Sequence, residues 1–188
     1  MDSINDWILS AIRNQVQAIG TQSGWLEMER IGFTQGLQRT IKHIMSGGTL
    51  LLCTDDSLKW FYEYILDRIN TAYNDRPFIP IYGLDSSITK LISTRDSKGR
   101  KDNDDVYDLL DMSYTKYAFW YIGNAKNPNA NFALNKENGL FWILDEKYEF
   151  AFTLDSKDEF LDFKLLQMFD LFHKALFGAI FSNFNFND

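Results

Sequence analysis

The amino-acid sequence predicts an α/β protein with a doubly wound, mostly parallel five-stranded sheet and helices on both faces. Two kinds of segment alternate along its 188 residues. Short, continuous apolar runs are typical of strands buried on both sides, and longer segments repeat their apolar residues at the 3.6-residue period of a helix. Strands that alternate with helices require crossover connections, which produce a parallel sheet covered by helices.

The chain is predicted to open with two helices. Ser3 followed by Asp6 is typical of a capped helix start, and the apolar residues over 4–19 keep helical spacing. A second series with the same spacing runs over 33–44 and stops near Gly47, because glycine is a common helix terminator.

The five predicted strands are short and apolar. The second contains Pro80, which cannot donate a hydrogen bond to a ladder, so this strand is expected to lie at an edge or to end there. A helix is predicted between the first two strands, ending at Arg76-Pro77, and a shorter helix is predicted over 106–112. In chain order, the predicted strands are 49–53, 78–82, 117–122, 140–144 and 150–154.

The last predicted helix, residues 158–181, is apolar around most of its circumference. It contains six phenylalanines, and its polar residues form only a narrow stripe, so its apolar surface exceeds what one sheet face covers. A second subunit or a partner is expected to cover the remainder. The alternative is a central helix in the thick core of a monomer.

Composition and charge limit the kinds of partner. Hydrophobic residues make up 45% of the chain, so residues 1–188 are predicted to form a single domain. A net charge of −7 repels phosphate backbones and anionic lipids. The first residues do not resemble a signal peptide, no apolar run reaches the roughly 20 residues that span a bilayer, and Cys53 is the single cysteine. We therefore expect a cytoplasmic protein that binds neither nucleic acid nor membrane directly.

Residues 93–105 are strongly charged and almost devoid of apolar side chains. They are predicted to form a mobile loop. A basic cluster within this segment raises the alternative of direct DNA binding, which the neighbouring aspartates oppose. The cluster comprises Arg95, Lys98, Arg100 and Lys101.

The loops that follow the strands are where an open α/β sheet binds ligands. After the first strand, residues 54–57 lack the glycines of a phosphate loop and contain two aspartates, so they are interpreted as a helix cap. After the second strand, the best available phosphate cradle is a hydroxyl-rich turn, although a serine pair in this position is ordinarily a cap. This turn contains Ser86, Ser87 and Thr89.

The sequence lacks a recognisable catalytic or metal-binding set. Its two histidines, His43 and His173, both fall in helical segments, and Cys53 is predicted to be a buried structural thiol. Two histidines and one cysteine do not provide the ligand spacing of a metal site. No catalytic residue, cofactor or metal ion is therefore expected.

Several motifs, many of them containing tryptophan, follow one another along nearly the whole chain. They are Asp6-Trp7-Ile8, Trp25-Leu26-Glu27, Thr54-Asp55, Trp60-Phe61, Arg76-Pro77, Phe119-Trp120-Tyr121 and Phe141-Trp142-Ile143. In this order they resemble the HobA family, whose members bind the bacterial replication initiator DnaA.

The resemblance implies a sugar-isomerase-like (SIS-like) or flavodoxin-like fold without isomerase activity. It also implies a homotetramer, a dimer of dimers, that binds the N-terminal domain of DnaA and promotes its assembly at the chromosomal origin, as the similar DiaA proteins do. The first and last helices are expected to form the dimer interface. The alternative function is an SIS-type isomerase or sensor that binds a sugar phosphate through Ser86, Ser87 and Thr89.

The resemblance also suggests where DnaA is contacted. A Leu-Phe pair near the C-terminus contacts DnaA in DiaA proteins, and Leu176-Phe177 is the matching pair here. With Ile180 and Phe181, this pair forms a small apolar group of the kind that often supplies most of the binding energy of an interface. The alternative is that these four residues only seal the core or the dimer.

Overall fold

The computed structural model describes residues 3–20, 24–71, 77–98, 103–136 and 138–181. Its internal contacts divide the chain into two compact units. The first comprises Met1–Lys42 with Asp155–Asp188, and the second comprises His43–Leu154. The prediction that all 188 residues form a single domain stays a prediction, and the cooperativity of unfolding tests it.

The first unit is helical. Helix α1 (Ile4–Ile19) begins as predicted, because the Ser3 hydroxyl accepts a hydrogen bond from the Asp6 backbone N–H at 3.2 Å. Its residues Ile4, Ile8 and Ile12 are buried, which confirms the helical spacing. Helix α2 (Leu26–Met45) follows, and the long C-terminal helix of this unit, Leu161–Ile180, packs against α1.

The second unit contains a five-stranded, wholly parallel sheet, which confirms the predicted fold class. Its order is β2-β1-β3-β4-β5, the order of flavodoxin-like sheets. Strand β2 is an edge strand, as Pro80 indicated, and begins just after that proline. The strands are β1 (Thr49–Thr54), β2 (Ile81–Gly83), β3 (Tyr117–Asn124), β4 (Leu140–Leu144) and β5 (Phe152–Leu154).

Helices connect these strands. They are α3 (Lys59–Ile69, preceded by the 3₁₀ turn Asp56–Leu58), α4 (Ser86–Ser97), α5 (Asp104–Ser113) and α6 (Pro128–Leu134), so the helix Leu161–Ile180 is α7. Helix α3 ends earlier than predicted, and Arg76 lies outside the described residues.

Two of these helices escaped sequence analysis for physical reasons. Helix α4 buries only Ile92 fully, so its apolar period is weak, and it extends through Ser93–Ser97, which had been predicted as loop. Helix α6 was taken for a turn because it is short and rich in asparagine. It is set instead by Pro128 in its first turn and by the Asn127 side chain, which accepts from the Asn129 backbone N–H at 2.9 Å.

Both faces of the sheet are buried, as the continuous apolar strands predicted. On one face, Phe119 and Tyr121 of β3 pack with Phe141 of β4 and with Phe132 of α6. On the other face, Trp120 and Trp142 meet edge to face with ring centroids 5.3 Å apart, and Phe61 of α3 stacks on Trp142. The aromatic residues therefore fix the spacing of helices and sheet from both sides.

His43 lies where α2 turns into β1. Its Nε2–H donates to the Thr49 carbonyl oxygen at 3.0 Å, which requires the neutral Nε2–H tautomer or the cation. Burial, opposed in part by this hydrogen bond, and nearby Lys116 lower the pKa of His43 below its ordinary value. A side chain at Gly48 would lie 2.3 Å from the imidazole, so glycine is required there.

The lowered pKa of His43 predicts a pH dependence of stability. As the pH falls through about 6.5, the unfolded chain binds the proton before the folded chain does, so the free energy of unfolding should decrease. Denaturant unfolding between pH 8 and pH 6 should show this decrease in the wild type and a flatter profile in His43→Gln. His173→Gln is the matched control, and a profile flattened only by that substitution would contradict the assignment to His43.

Candidate functional site

A doubly wound sheet binds ligands where the strand order reverses, beyond the carboxyl ends of its strands. In this sheet the reversal lies between β1 and β3, which are neighbours although β2 comes between them in sequence. The residues at this position are Asp55, directly after β1, and Gly123-Asn124 at the end of β3.

The carboxylate of Asp55 fills this crevice and bridges the two strands. Its Oδ1 accepts from the Tyr121 hydroxyl at 2.7 Å, and its Oδ2 accepts from the Asn124 backbone N–H at 2.6 Å. Only 8% of Asp55 is exposed. Burial, together with the Asp55 carboxylate, raises the pKa of Tyr121, so this residue remains a phenol and a hydrogen-bond donor.

Gly123 makes room for this arrangement. Its φ of 150° is a conformation that side chains disfavour, and a Cβ at this position would lie 2.5 Å from the Asp55 carboxyl carbon. The crevice is therefore closed by the protein's own carboxylate. A phosphate group in the same place would be repelled by the Asp55 carboxylate. The Asn124 N–H could not donate to it, because this N–H already donates to Asp55.

The interpretation of residues 54–57 as a helix cap was wrong for Asp55. This residue occupies the N-cap position of the 3₁₀ turn, but its side chain makes no capping hydrogen bond and binds β3 instead. Cys53, one residue earlier, is buried as predicted. Burial and the nearby Asp55 raise the pKa of Cys53 to about 12, so its thiol is protonated at neutral pH and unsuited to nucleophilic attack.

The hydroxyl-rich turn after β2 is engaged in local contacts. Asp85, not the serine pair, caps α4, because its Oδ1 accepts from the Ser87 backbone N–H at 2.7 Å. The Ser87 hydroxyl also donates to this carboxylate, and Ser87 lowers the pKa of Asp85. The Thr89 hydroxyl donates to the Ser86 carbonyl oxygen at 3.1 Å. A phosphate at this turn would therefore face an ionised aspartate.

Within the charged segment 93–105, the described residues Arg95 and Asp105 form an ion pair. The Arg95 guanidinium donates to both carboxylate oxygens of Asp105, which joins the end of α4 to the start of α5. Arg100 and Lys101 lie outside the described residues. Because Arg95 is paired with a carboxylate, its charge is already partly compensated.

The four predicted partner-contact residues lie in the last turns of α7 and differ in exposure. Leu176 is fully buried, Phe177 and Ile180 are half-buried, and 59% of Phe181 is exposed. The ring of Phe177 lies between those of His173 and Phe181, with centroid distances of 4.8 and 6.4 Å. Exposure therefore increases from Leu176 to Phe181, and Phe181 is the most accessible of the four side chains.

Sequence analysis missed a chain of polar side chains in the helical unit. Trp25 Nε1–H donates to Gln167 Oε1 at 2.7 Å, and Gln167 Nε2 donates to Gln15 Oε1 at 3.0 Å. Gln15 Nε2 then donates to Asp170 Oδ2 at 2.7 Å, and Lys174 donates to the same oxygen at 2.6 Å. A signal was available at Gln15, which interrupts the apolar stripe of α1, whereas Gln167 belongs to the narrow polar stripe predicted for the last helix.

This polar chain borders a groove of about 450 Å³ along α1 and α7, whose lining includes Trp7 and Ile19. Among the residues that the structure describes, no three His, Cys, Asp or Glu side chains are placed to hold a metal ion. No described helix is long and apolar enough to cross a membrane.

The strand order and the crevice closed by Asp55 define a doubly wound α/β protein whose usual ligand position is filled by its own side chains. The family model of HobA, described as a DNA replication regulator, matches residues 1–186. The chain belongs to the HobA family, which confirms the resemblance carried by the tryptophan-containing motifs.

Similar proteins agree with this membership over almost the full length. The DNA replication regulator protein HobA of Helicobacter pylori (strain ATCC 700392 / 26695) is 32% identical over 184 residues, which cover 97% of this chain and 98% of that protein. A crystal structure of a HobA–DnaA (domain I–II) complex from H. pylori matches with a TM-score of 0.75 and 32% identity, covering 98% of this chain and 99% of that one. A structure of H. pylori HobA matches with a TM-score of 0.72 and 32% identity, covering 96% and 97%.

Asp55 should be the most costly single carboxylate to remove from the sheet. Asp55→Ala leaves the partly buried Asn124 N–H without its acceptor and leaves the Tyr121 hydroxyl only the Asn124 carbonyl oxygen, at 2.9 Å, so the free energy of unfolding should fall by about 1–3 kcal/mol. Denaturant unfolding measures the change. The exposed neighbour provides the control, since Asp56→Ala should change stability by less than about 0.5 kcal/mol. Equal losses at both positions would show that Asp55 acts only at the start of the 3₁₀ turn.

Proposed function

We propose that this chain is an adaptor that binds the N-terminal region of DnaA and promotes assembly of the initiator at the chromosomal origin. The supporting observation is the match over 98% of the chain to a HobA bound to DnaA domains I–II. Binding of DnaA domains I–II to the purified chain, measured by isothermal titration calorimetry, tests this function. An absence of binding heat at micromolar concentrations of both proteins would contradict it.

The proposed adaptor is cytoplasmic and not an enzyme. Closure of the crevice by Asp55 and the high pKa of Cys53 support the absence of enzymatic activity. The rival function, a sugar-phosphate isomerase or sensor, requires a phosphate to bind beside Asp85 at the start of α4. Calorimetry with a panel of phosphosugars distinguishes the two functions. The adaptor should give no heat of binding with any phosphosugar, whereas an isomerase or sensor should give heat with at least one.

The proposed mechanism is multivalent. A homotetramer, built as a dimer of dimers, holds several DnaA molecules near one another, and the raised local concentration promotes their association without chemistry. Exposed apolar residues of the helical unit support assembly through its surface, since large exposed apolar side chains often mark interfaces. Ile19 of α1 and Met28 of α2 are 63% and 89% exposed. We place the dimer interface on the first and last helices.

We place the DnaA contact at the C-terminal end of α7. In this arrangement Phe177, Ile180 and Phe181 supply the accessible apolar surface, and buried Leu176 supports them from within. An aromatic residue beside half-buried apolar neighbours suits an interface hot spot.

Phe181→Ser should weaken binding of DnaA domains I–II about tenfold, because it removes the accessible aromatic anchor. Melting should remain near the wild type, since Phe181 is mostly exposed. Phe160→Ser is the matched control, as it makes the same change at the other end of α7, where 42% of the side chain is exposed. Leu176→Ala should instead lower the free energy of unfolding by about 2–5 kcal/mol. Unchanged DnaA affinity in Phe181→Ser would move the contact away from this helix end.

Light scattering should find four chains of 22.0 kDa in one particle. Ile19→Lys should shift the population to smaller species, because it places a charge in the proposed interface of α1. Leu109→Lys on α5 is the control, since Leu109 is also an exposed apolar residue, on the other compact unit. A wild-type monomer would contradict the multivalent mechanism.

A further inference from the structure

A small polar pocket lies between α4 and α6, apart from the β1–β3 crevice. Its volume is about 260 Å³. Ile92 and Phe132 contribute apolar lining, and the polar lining consists of one carboxylate and three carboxamides. These are Asp96, Asn103, Asn131 and Asn135.

Asn103 indicates what this pocket binds. It occupies the N-cap position of α5, yet its side chain makes no capping hydrogen bond, although asparagine there ordinarily accepts from the helix. Its Oδ1 is buried and has no hydrogen-bond partner within the described ranges. A buried acceptor without a donor is unfavourable, so a small side-chain rotation that turns this oxygen toward a donor in the pocket would be favoured.

The other lining groups favour a positively charged occupant. The Asp96 carboxylate accepts hydrogen bonds and cannot donate them, and the described lining contains no lysine, arginine or histidine. An anion such as phosphate would be repelled. A divalent metal ion is also disfavoured, because no three His, Cys, Asp or Glu side chains of the described residues are placed to hold one.

The size of the pocket favours one side chain over a whole ligand. Sites for small molecules commonly measure about 300–1,000 Å³, and this pocket is smaller. A lysine or arginine combines an apolar stem with a charged end, which matches apolar lining from Ile92 and Phe132 beside Asp96. Helix α5, which follows Asn103, adds the exposed carboxylates of Asp104 and Asp108, which attract a basic surface. Asp105 and Asp111 are already paired with Arg95 and Lys136.

We propose that the pocket lined by Asp96, Asn103 and Asn131 receives a lysine or arginine side chain of the DnaA N-terminal region. This inference rests on the proposed function and adds a second, electrostatic contact to the apolar one on α7. A second copy of this chain is a poorer occupant, because each copy carries a net charge of −7.

Opposite charge changes at Asn131 test the proposal. Asn131 is exposed on α6, so both variants should fold, and unfolding curves check this. Asn131→Asp adds an acceptor charge and should tighten the binding of DnaA domains I–II about fivefold, whereas Asn131→Lys should weaken it about tenfold. The difference between the two variants should shrink between 50 and 200 mM NaCl, because salt screens charge. Calorimetry measures all the affinities.

Asn138→Asp and Asn138→Lys are the matched controls, because Asn138 is exposed and outside the pocket lining. Both should bind DnaA domains I–II within twofold of the wild type. Equal affinities in the two Asn131 variants, or weakening in both, would overturn the cation pocket while leaving the proposed function intact. A wild-type chain that does not bind the fragment would instead overturn the proposed function, and this inference with it.

Discussion

The buried carboxylate of Asp55 is the interaction on which the rest of the sheet depends. It joins the carboxyl ends of β1 and β3, the two strands at which the strand order reverses. A buried charge is tolerated only when hydrogen bonds replace its hydration, and here a phenol and a backbone N–H supply them. Gly123 must lack a side chain for the carboxylate to fit. The same contact that stabilises the central strands therefore occupies the position where this fold usually binds a ligand.

Sequence patterns predicted those elements whose physical cause is local. β1, β3 and β4 are continuous apolar runs, α1 has a strong helical period, and α7 is a long apolar segment with a narrow polar stripe, so they were recognised with nearly correct bounds. Helices α4 and α6 were missed because caps and a proline, not an apolar stripe, determine them. The role of Asp55 was missed for another reason. Its partners lie 66 and 69 residues away in sequence, and locally an aspartate before a helix resembles a cap.

Surface features were harder to predict than the core. The apolar character of α7 was evident, but which of its residues remain accessible depends on packing, so Leu176 and Phe181 could not be told apart from sequence. The pocket between α4 and α6 was hidden for a similar reason, since Asn131 is distant in sequence from Asp96 and Asn103 and each of the three is individually ordinary. The charged segment 93–105 was predicted as a loop because repeated charge obscures helix ends that an ion pair, Arg95 with Asp105, holds together.

An adaptor with a filled crevice must recognise its partner on its outer surfaces, where single contacts are weak because water competes for them. Two kinds of contact compensate for this in the proposed function. The exposed apolar residues at the end of α7 supply affinity that salt hardly affects. The polar pocket between α4 and α6 supplies orientation and a faster encounter with a basic surface. Each contact is modest, but in the proposed tetramer the DnaA molecules bound at neighbouring sites meet one another at a raised local concentration. Weak sites then have an advantage, since initiator molecules can be gathered and still released into their own assembly.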